Sequence, residues 1–250
     1  MKKKIRIWNS SFTIIGLALA VLYSCSKDDK GPGNQTNGKT KAVFNSTVTY
    51  GTMTDQDGNT YKTITIGTQT WMAENLRTTK YRTGEAIPLV TDSTAWKNST
   101  TGAYCNFNNT KNIDTIATFG RLYNGYTISD NRNIAPKGWH VPTDEEWSTL
   151  ITFVGGDTVA GSLLKEADTT HWQNPNRGTT NQSGFTALPA GYRNTDGTYF
   201  SMGFYSEWWS SSENNAADTK LRSMVYFSND IGTGYVEKSY GFSVRCIKDN

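Results

Sequence analysis

The 250-residue chain has little of what metal and nucleophilic chemistry needs. It holds two histidines, His140 and His171. His140 lies between Trp139 and Val141, a structural setting, and His171 stands beside Trp172 in a polar stretch. Neither has a third nitrogen or a glutamate at ligand spacing, so no zinc site is expected. The string "DQDGN" does not supply calcium ligands either. With Asp55, Asp57 and Gly58 at loop positions 3, 5 and 6, positions 1 and 12 are Met53 and Ile64, which lack side-chain oxygens. Serine is too abundant for a Ser-His-Asp reading to carry information. The chain is therefore read as non-enzymatic, with no metal, no cofactor and no catalytic residue.

Two further absences bear on partners. No apolar run reaches the ~20 residues of a bilayer-crossing helix. A basic excess is missing as well. Four of the 25 basic residues and none of the 22 acidic ones lie within residues 1–24, leaving 21 against 22 beyond them. No electrostatic footprint for nucleic acid remains.

What is present begins at the N-terminus. Lys2, Lys3, Lys4 and Arg6 precede the uncharged run "FTIIGLALAVLY", residues 12–23. A basic head with an apolar run of this length reads as a secretory signal peptide over residues 1–24. "LYSC", ending at Cys25, resembles the lipobox of bacterial lipoproteins, which implies a lipidated Cys25 as the mature N-terminus. The alternative is ordinary cleavage after Ala20, leaving Cys25 a plain thiol. Two or three acyl chains, each methylene contributing ~0.8 kcal/mol on burial, anchor durably. "CSKDDKG" resembles the export signal of Bacteroidetes surface lipoproteins, implying an outer-membrane, cell-surface location with the membrane as a partner. The strings "DST", "DTI", "DTV" and "DTT" resemble the O-glycosylation sequon of the same bacteria.

Residues 26–42 are polar and free of aromatics, so residues 25–42 read as lipidated cysteine and flexible tether. One domain is expected over residues 43–250, where tryptophans stand among Asn, Thr, Ser and Gly. With Cys25 lipidated, Cys105 and Cys246 are left either to pair as a disulfide or to remain buried thiols.

Residues 51–66 read as a hairpin turning at "DGN", with Ile64 and Ile66 on one face. Residues 143–154 read as a helix: Thr143 and Glu146 form a capping box, and Trp147, Leu150, Ile151 and Val154 make an inward stripe. A second helix is expected over 158–167, capped by Asp157, with Val159, Leu163 and Leu164 inward. Residues 220–227 alternate as a strand. In "GFSVRCIK", residues 241–248, Phe242, Val244 and Cys246 share one face and Ser243, Arg245 and Ile247 the other. Strands, two helices, a loop region and more strands make an α+β fold with two main helices and loop-rich antiparallel sheets.

Six strings resemble the Fibrobacter succinogenes major paralogous domain family: "IGTQTWMAENLRTTKY" (66–81), "GRLYNGYTI" (120–128), "PKGWHVPTDEEWSTL" (136–150), "SGFTALPAGYR" (183–193), "WWSSSE" (208–213) and "GFSVRCIK" (241–248). The resemblance runs from about Gly51 to the C-terminus. It implies a C-type lectin-like fold, related to the formylglycine-generating enzyme group, displayed on bacterial surfaces. Ala135 stands where relatives carry a cysteine. If that cysteine bonds the last strand in relatives, Cys246 here has lost its partner. The last strand offers only Cys246, so the copper-thiol chemistry of the enzyme group is not expected.

The lectin-like resemblance implies binding of a glycan or surface protein, or a role in adhesion; an exported enzyme and a surface-layer scaffold are the alternatives. The nearest strings to calcium-dependent sugar ligands, "NPN" and "SND", each lack a key member. Calcium-free binding points to the aromatic and polar mixtures "HWQNPNRGTTNQ" (171–182) and "DGTYFSMGFYSEWW" (196–209). The candidate ligand-binding residues are Trp172, Asn174, Asn176 and Trp208. Metabolic labelling tests the anchor: palmitate is expected to enter the wild-type protein and not Cys25→Ala, which should leave the detergent phase.

Overall fold

A computed structural model describes residues 34–250, so the expected signal peptide, Cys25 and the start of the tether lie outside the described residues. Residues 34–42, read from the sequence as tether, lie instead against the domain. The Thr36 hydroxyl donates to Asn59 Oδ1 at 2.9 Å, Asn37 brackets Gly58 and Thr60, and the Lys41 amide donates to Thr118 Oγ1 at 2.9 Å. Uncharged side-chain oxygens and amides do this anchoring beside an exposed Lys41–Asp114 ion pair at 3.3 Å, none of which an apolar-pattern reading shows. Among the described residues no helix is long and apolar enough to cross a membrane.

The hairpin forms as expected. Strands Gly51–Thr54 and Thr60–Ile66 pair antiparallel around a turn in which the Asp55 carboxylate accepts from the amides of Asp57 and Asn59, each at 2.9 Å. The helix Asp144–Phe153 carries the full capping box between Thr143 and Glu146. Its stripe of Trp147, Leu150, Ile151 and Val154 is buried. The second helix departs from expectation. It spans Asp157–Leu164 and starts from Gly156, with no side-chain cap. That start puts Ala160 and Leu164 inward, one turn apart, and leaves Val159 42 % exposed. Lys165 and Glu166 fall beyond the helix and are fully buried.

The described residues form three sheets, with antiparallel pairing throughout. The first runs in the order 51–54, 60–66, 69–72, 247–248, 139–140. The second has three longer strands, Gly232–Glu237, Asp218–Val225 and Tyr205–Glu213, in that order. The third runs 104–105, 122–124, 241–242, 192–193, 199–200. The architecture is α+β and loop-rich.

The closing segment 241–248 ties the sheets together. Its start pairs in the third sheet and its end in the first, and Ser243 bridges Trp208 of the second. Its alternation is as read, but neither face meets solvent before Lys248, which is exposed. Phe242, Val244 and Cys246 enter one core with Trp209, Tyr123 and Leu221. Ile247 enters the other, with Trp71, Trp147, Phe185 and Trp208.

Arg245 points into that second core and is fully buried. Its Nε donates to Asn75 Oδ1 at 2.9 Å, and its terminal nitrogens donate to the Phe185 carbonyl and, at 2.7 Å, to the Thr186 carbonyl. The guanidinium lies 4.2 Å from the Phe185 ring centroid. Burial lowers its pKa to about 9. Thr186 takes φ +56, unusual for a β-branched residue, and Asn181 holds it there from both sides. The bend presents two successive carbonyls to one guanidinium.

Cys105 and Cys246 are both buried free thiols, so the disulfide weighed between them does not form. Cys105 packs with Trp96 and Leu122, Cys246 in the core of Trp209, so they occupy separate clusters. Burial pushes the Cys105 thiol up to about 11 and the Cys246 thiol further, which leaves both unreactive.

Arg245→Met leaves Asn75 Oδ1 and two carbonyls without their donor. It should lower unfolding stability by about 3 kcal/mol or more in urea titrations. Arg245→Lys should recover less than half, since an ammonium cannot span the three acceptors. A loss below about 1 kcal/mol for Met would contradict this assignment.

Candidate functional site

The strand Tyr205–Glu213 follows a tight turn at Ser201–Gly203, where both residues have positive φ and the amides of Phe204 and Tyr205 donate to the Ser201 carbonyl. Side chains on a strand alternate, so Tyr205, Glu207 and Trp209 share one face and Ser206, Trp208 and Ser210 the other. Trp209 is drawn into the first core, where its indole N–H donates to the Tyr123 carbonyl at 2.7 Å and its ring lies 4.5 Å from Phe242. The same alternation commits Glu207 to an inward position.

Across the sheet, Ser223 stands opposite Glu207 and Leu221 opposite Trp209. On the next strand their partners are Gly232 and Gly234. A Cβ at Gly234 would meet nothing within 4 Å, so this wall is kept low. Tyr192 and Tyr240 close the opposite side. Tyr240 stacks on Phe242 with centroids 5.5 Å apart, and Tyr192 lies 6.1 Å from Phe242 and 6.3 Å from Tyr240. The result is a cleft of about 440 Å³ at an unfilled end of the first core. Its size falls in the ordinary range for small-ligand sites.

Glu207 is the only acid, and no basic side chain lines the cleft among the described residues. It is 8 % exposed, and its Oε2 is buried without a hydrogen-bond partner among the described residues. Burial alone pushes its pKa up to about 8. The carboxyl is therefore mostly protonated at neutral pH, able to donate and to accept. The titratable groups facing it are the tyrosines. Tyr192 is raised by burial first, then by Glu207, Tyr240 and Tyr205. Lys220 and Arg222 project from the other face of the sheet, where both pair with Asp144.

Two other clefts are less suited to a ligand. One of about 290 Å³ is lined by Arg77, Arg121 and Asp57, but Arg77 is engaged by Glu74 and the Ala117 and Thr60 carbonyls. Another, of about 450 Å³ beside Phe153, contains no titratable side chain.

The residues singled out in the sequence are not assembled into a binding surface. Trp172 is buried beneath Lys165, whose Nζ lies 5.3 Å from its ring, and its indole N–H donates to the Ala187 carbonyl at 2.9 Å. Trp208 is fully buried and donates to Asn75 Oδ1 at 3.0 Å. Neither ring has a face for a sugar, because large indoles fill core space best. Asn176 is buried and holds the Glu166 and Asp168 carbonyls, while Asn174 is exposed. His140 sits between Glu146 and Asp249, each at 2.7 Å, and His171 against Glu166. Among the described residues no cluster of three or more His, Cys, Asp or Glu could hold a metal.

The cleft residues Ser201, Tyr205 and Glu207 do lie within the segment 196–209 that the sequence marked. The missed signal was "YSEWW": if Trp209 is core, period two buries Glu207 as well.

The Fibrobacter succinogenes major domain model matches residues 64–248. The chain belongs to this family. The match begins inside the hairpin, some 13 residues after the start near Gly51 that the sequence suggests, and takes in every cleft residue. No curated protein and no solved structure matches the chain. The family assignment thus supplies no activity, and the cleft must be read from its own chemistry.

Glu207 gives a stability signature. Its folded pKa of about 8 lies above the usual 4.5, so the folded state holds a proton that the unfolded chain releases. The stability it carries is present below pH 4.5 and is lost as pH rises toward 8. Glu207→Gln should therefore gain roughly 3 kcal/mol relative to wild type between pH 4.5 and 7 in paired denaturant titrations. Parallel curves for the two proteins across that range would place the carboxyl in water.

Proposed function

We propose that this protein is a non-catalytic surface lipoprotein whose lectin-like domain binds a glycan in the Glu207 cleft. The observation that carries the reading is a cleft with aromatic walls, Tyr192, Tyr240 and Phe242, around one buried carboxyl. Sugars offer apolar ring faces to aromatics and hydroxyls to polar groups. Tyr192, Tyr205, Tyr240, Ser201 and Ser223 supply hydroxyls at the rim and floor, each able to donate and accept. A protonated Glu207 does the same from below. In this reading the acyl chains on Cys25 hold the domain at the outer membrane, facing outward.

One observation favours an exported enzyme as the second reading. A carboxyl that keeps its proton at neutral pH is what a general acid needs. Glycoside hydrolysis commonly also needs a second carboxylate about 5–10 Å away. The residues lining this cleft include none. The geometry suits holding a sugar better than cleaving it.

Glycan-array binding tests the site. Wild-type signal should fall roughly tenfold or more in Tyr240→Ala and Tyr192→Ala, with circular dichroism unchanged. Asn174→Ala, in the polar loop outside the cleft, should bind as wild type. Loss with Asn174→Ala and retention with both tyrosine variants would move the site elsewhere, and turnover of a bound oligosaccharide would favour the enzyme.

A further inference from the structure

Among the described residues, several aromatics, half-exposed and buried alike, are covered by one of the protein's own cations. Lys62 lies over Phe44 and Tyr50, Arg132 over Tyr81, Arg121 over Tyr104, and Arg193 over Trp96 and Tyr199. Arg77 likewise covers Tyr61, and Arg245 covers Phe185. Among the described residues, none of these cations lies over Tyr192, Tyr205, Tyr240 or Phe242. That cluster also surrounds Glu207, whose Oε2 has no partner among the described residues.

We infer that the sugar unit seated on Glu207 carries a free amino group, bound as an ammonium between the carboxylate and the tyrosine faces. This rests on the glycan reading and narrows it to an amino sugar that is not N-acetylated. Aromatic faces present negative potential to a cation, and the attraction grows when water is excluded. The ligand's charge replaces the counter-ion that the fold withholds. As the ammonium enters, Glu207 O–H gives its proton to solvent and the carboxylate accepts an N–H from the ligand. No covalent bond is made. An N-acetyl group in the same place would lose the charge and set an amide against the rings. Lys220 and Arg222, on the opposite face and paired with Asp144, leave the cleft side without opposing charge.

The test is calorimetric titration of the full protein in detergent at pH 6.5. Glucosamine, galactosamine and mannosamine are each compared with their N-acetyl forms. At least one amino sugar should bind tenfold or more tightly than its N-acetyl form. Repeating the titration in two buffers of different ionisation enthalpy should count about one proton released per site. Glu207→Gln should remove both the preference and the proton release while keeping a cooperative thermal transition. Equal affinity for the two forms, or an unchanged preference in Glu207→Gln, overturns the inference and leaves the glycan reading standing. No binding by any of the six sugars, together with an array signal indifferent to Tyr240→Ala, overturns both. If Glu207→Gln does not fold, Tyr240→Phe serves in its place. It keeps the ring face and should retain the amino-sugar preference, whereas Tyr240→Leu should lose it; indifference to Leu counts against the cage.

Discussion

The whole structure depends on satisfying one buried guanidinium. Among the described residues Arg245 has no carboxylate within hydrogen-bond reach and finds its acceptors in Asn75, Phe185 and Thr186. Those residues come from two distant parts of the chain, Asn75 and the consecutive pair Phe185–Thr186, so the arginine can be buried only when both are in place. Asn75 then binds outward in turn: its Oδ1 also accepts from Trp208, and its Nδ2 donates to the Phe119 carbonyl and to Ser243. Hydrophobic burial alone would tolerate sliding of these loops. A directional, fully desolvated set of donors and acceptors does not.

From that anchor the two cores follow. The closing segment is a partition with apolar side chains on both sides, and one side must accept Arg245 as its cost. The long three-stranded sheet completes the partition. Its even residues, Trp208 and Met224, enter the second core, while Trp209 and Leu221 enter the first. The first core runs out of side chains at the edge strand, where Gly232 and Gly234 contribute none. The cleft is the space left there. A cleft of ligand size, on this view, needs no dedicated loop: it arises where a core is left open and its last aromatic residues are tyrosines.

Much of this was legible in residue order. The capping box at Thr143 and Glu146, the "DGN" hairpin and the alternation of 241–248 all depend on local chemistry, and local chemistry is what a sequence displays. The second helix was displaced because Gly156 took the cap that Asp157 was expected to provide. Burial of both faces of 241–247 was not legible, since alternation separates Ser243 and Arg245 from Phe242, Val244 and Cys246 without saying what covers them until the partners of Arg245 are known. The site failed differently. Choosing tryptophans favoured the side chains that bury most completely. Tyrosine, with an apolar face and a hydroxyl that seeks water, belongs at the margin of a core, and three tyrosines from separated segments meet only after folding.

Glu207 shows why the margin matters. A glutamate buried without a partner works against folding at neutral pH, and a glutamine of the same shape would avoid the ionisation cost. The neighbouring strand positions are polar without being ionisable, Ser206 on one side and Ser223 opposite. Nothing in the packing of Trp209 or Leu221 asks for a carboxyl between tyrosines. Arg245, equally buried, is surrounded by acceptors placed for it, whereas Glu207 faces an open cleft. One buried charge is therefore built into the fold, and the other is held at its edge. A group that the fold leaves unsatisfied, yet keeps in a space of ligand size, is better explained by what enters that space than by what surrounds it.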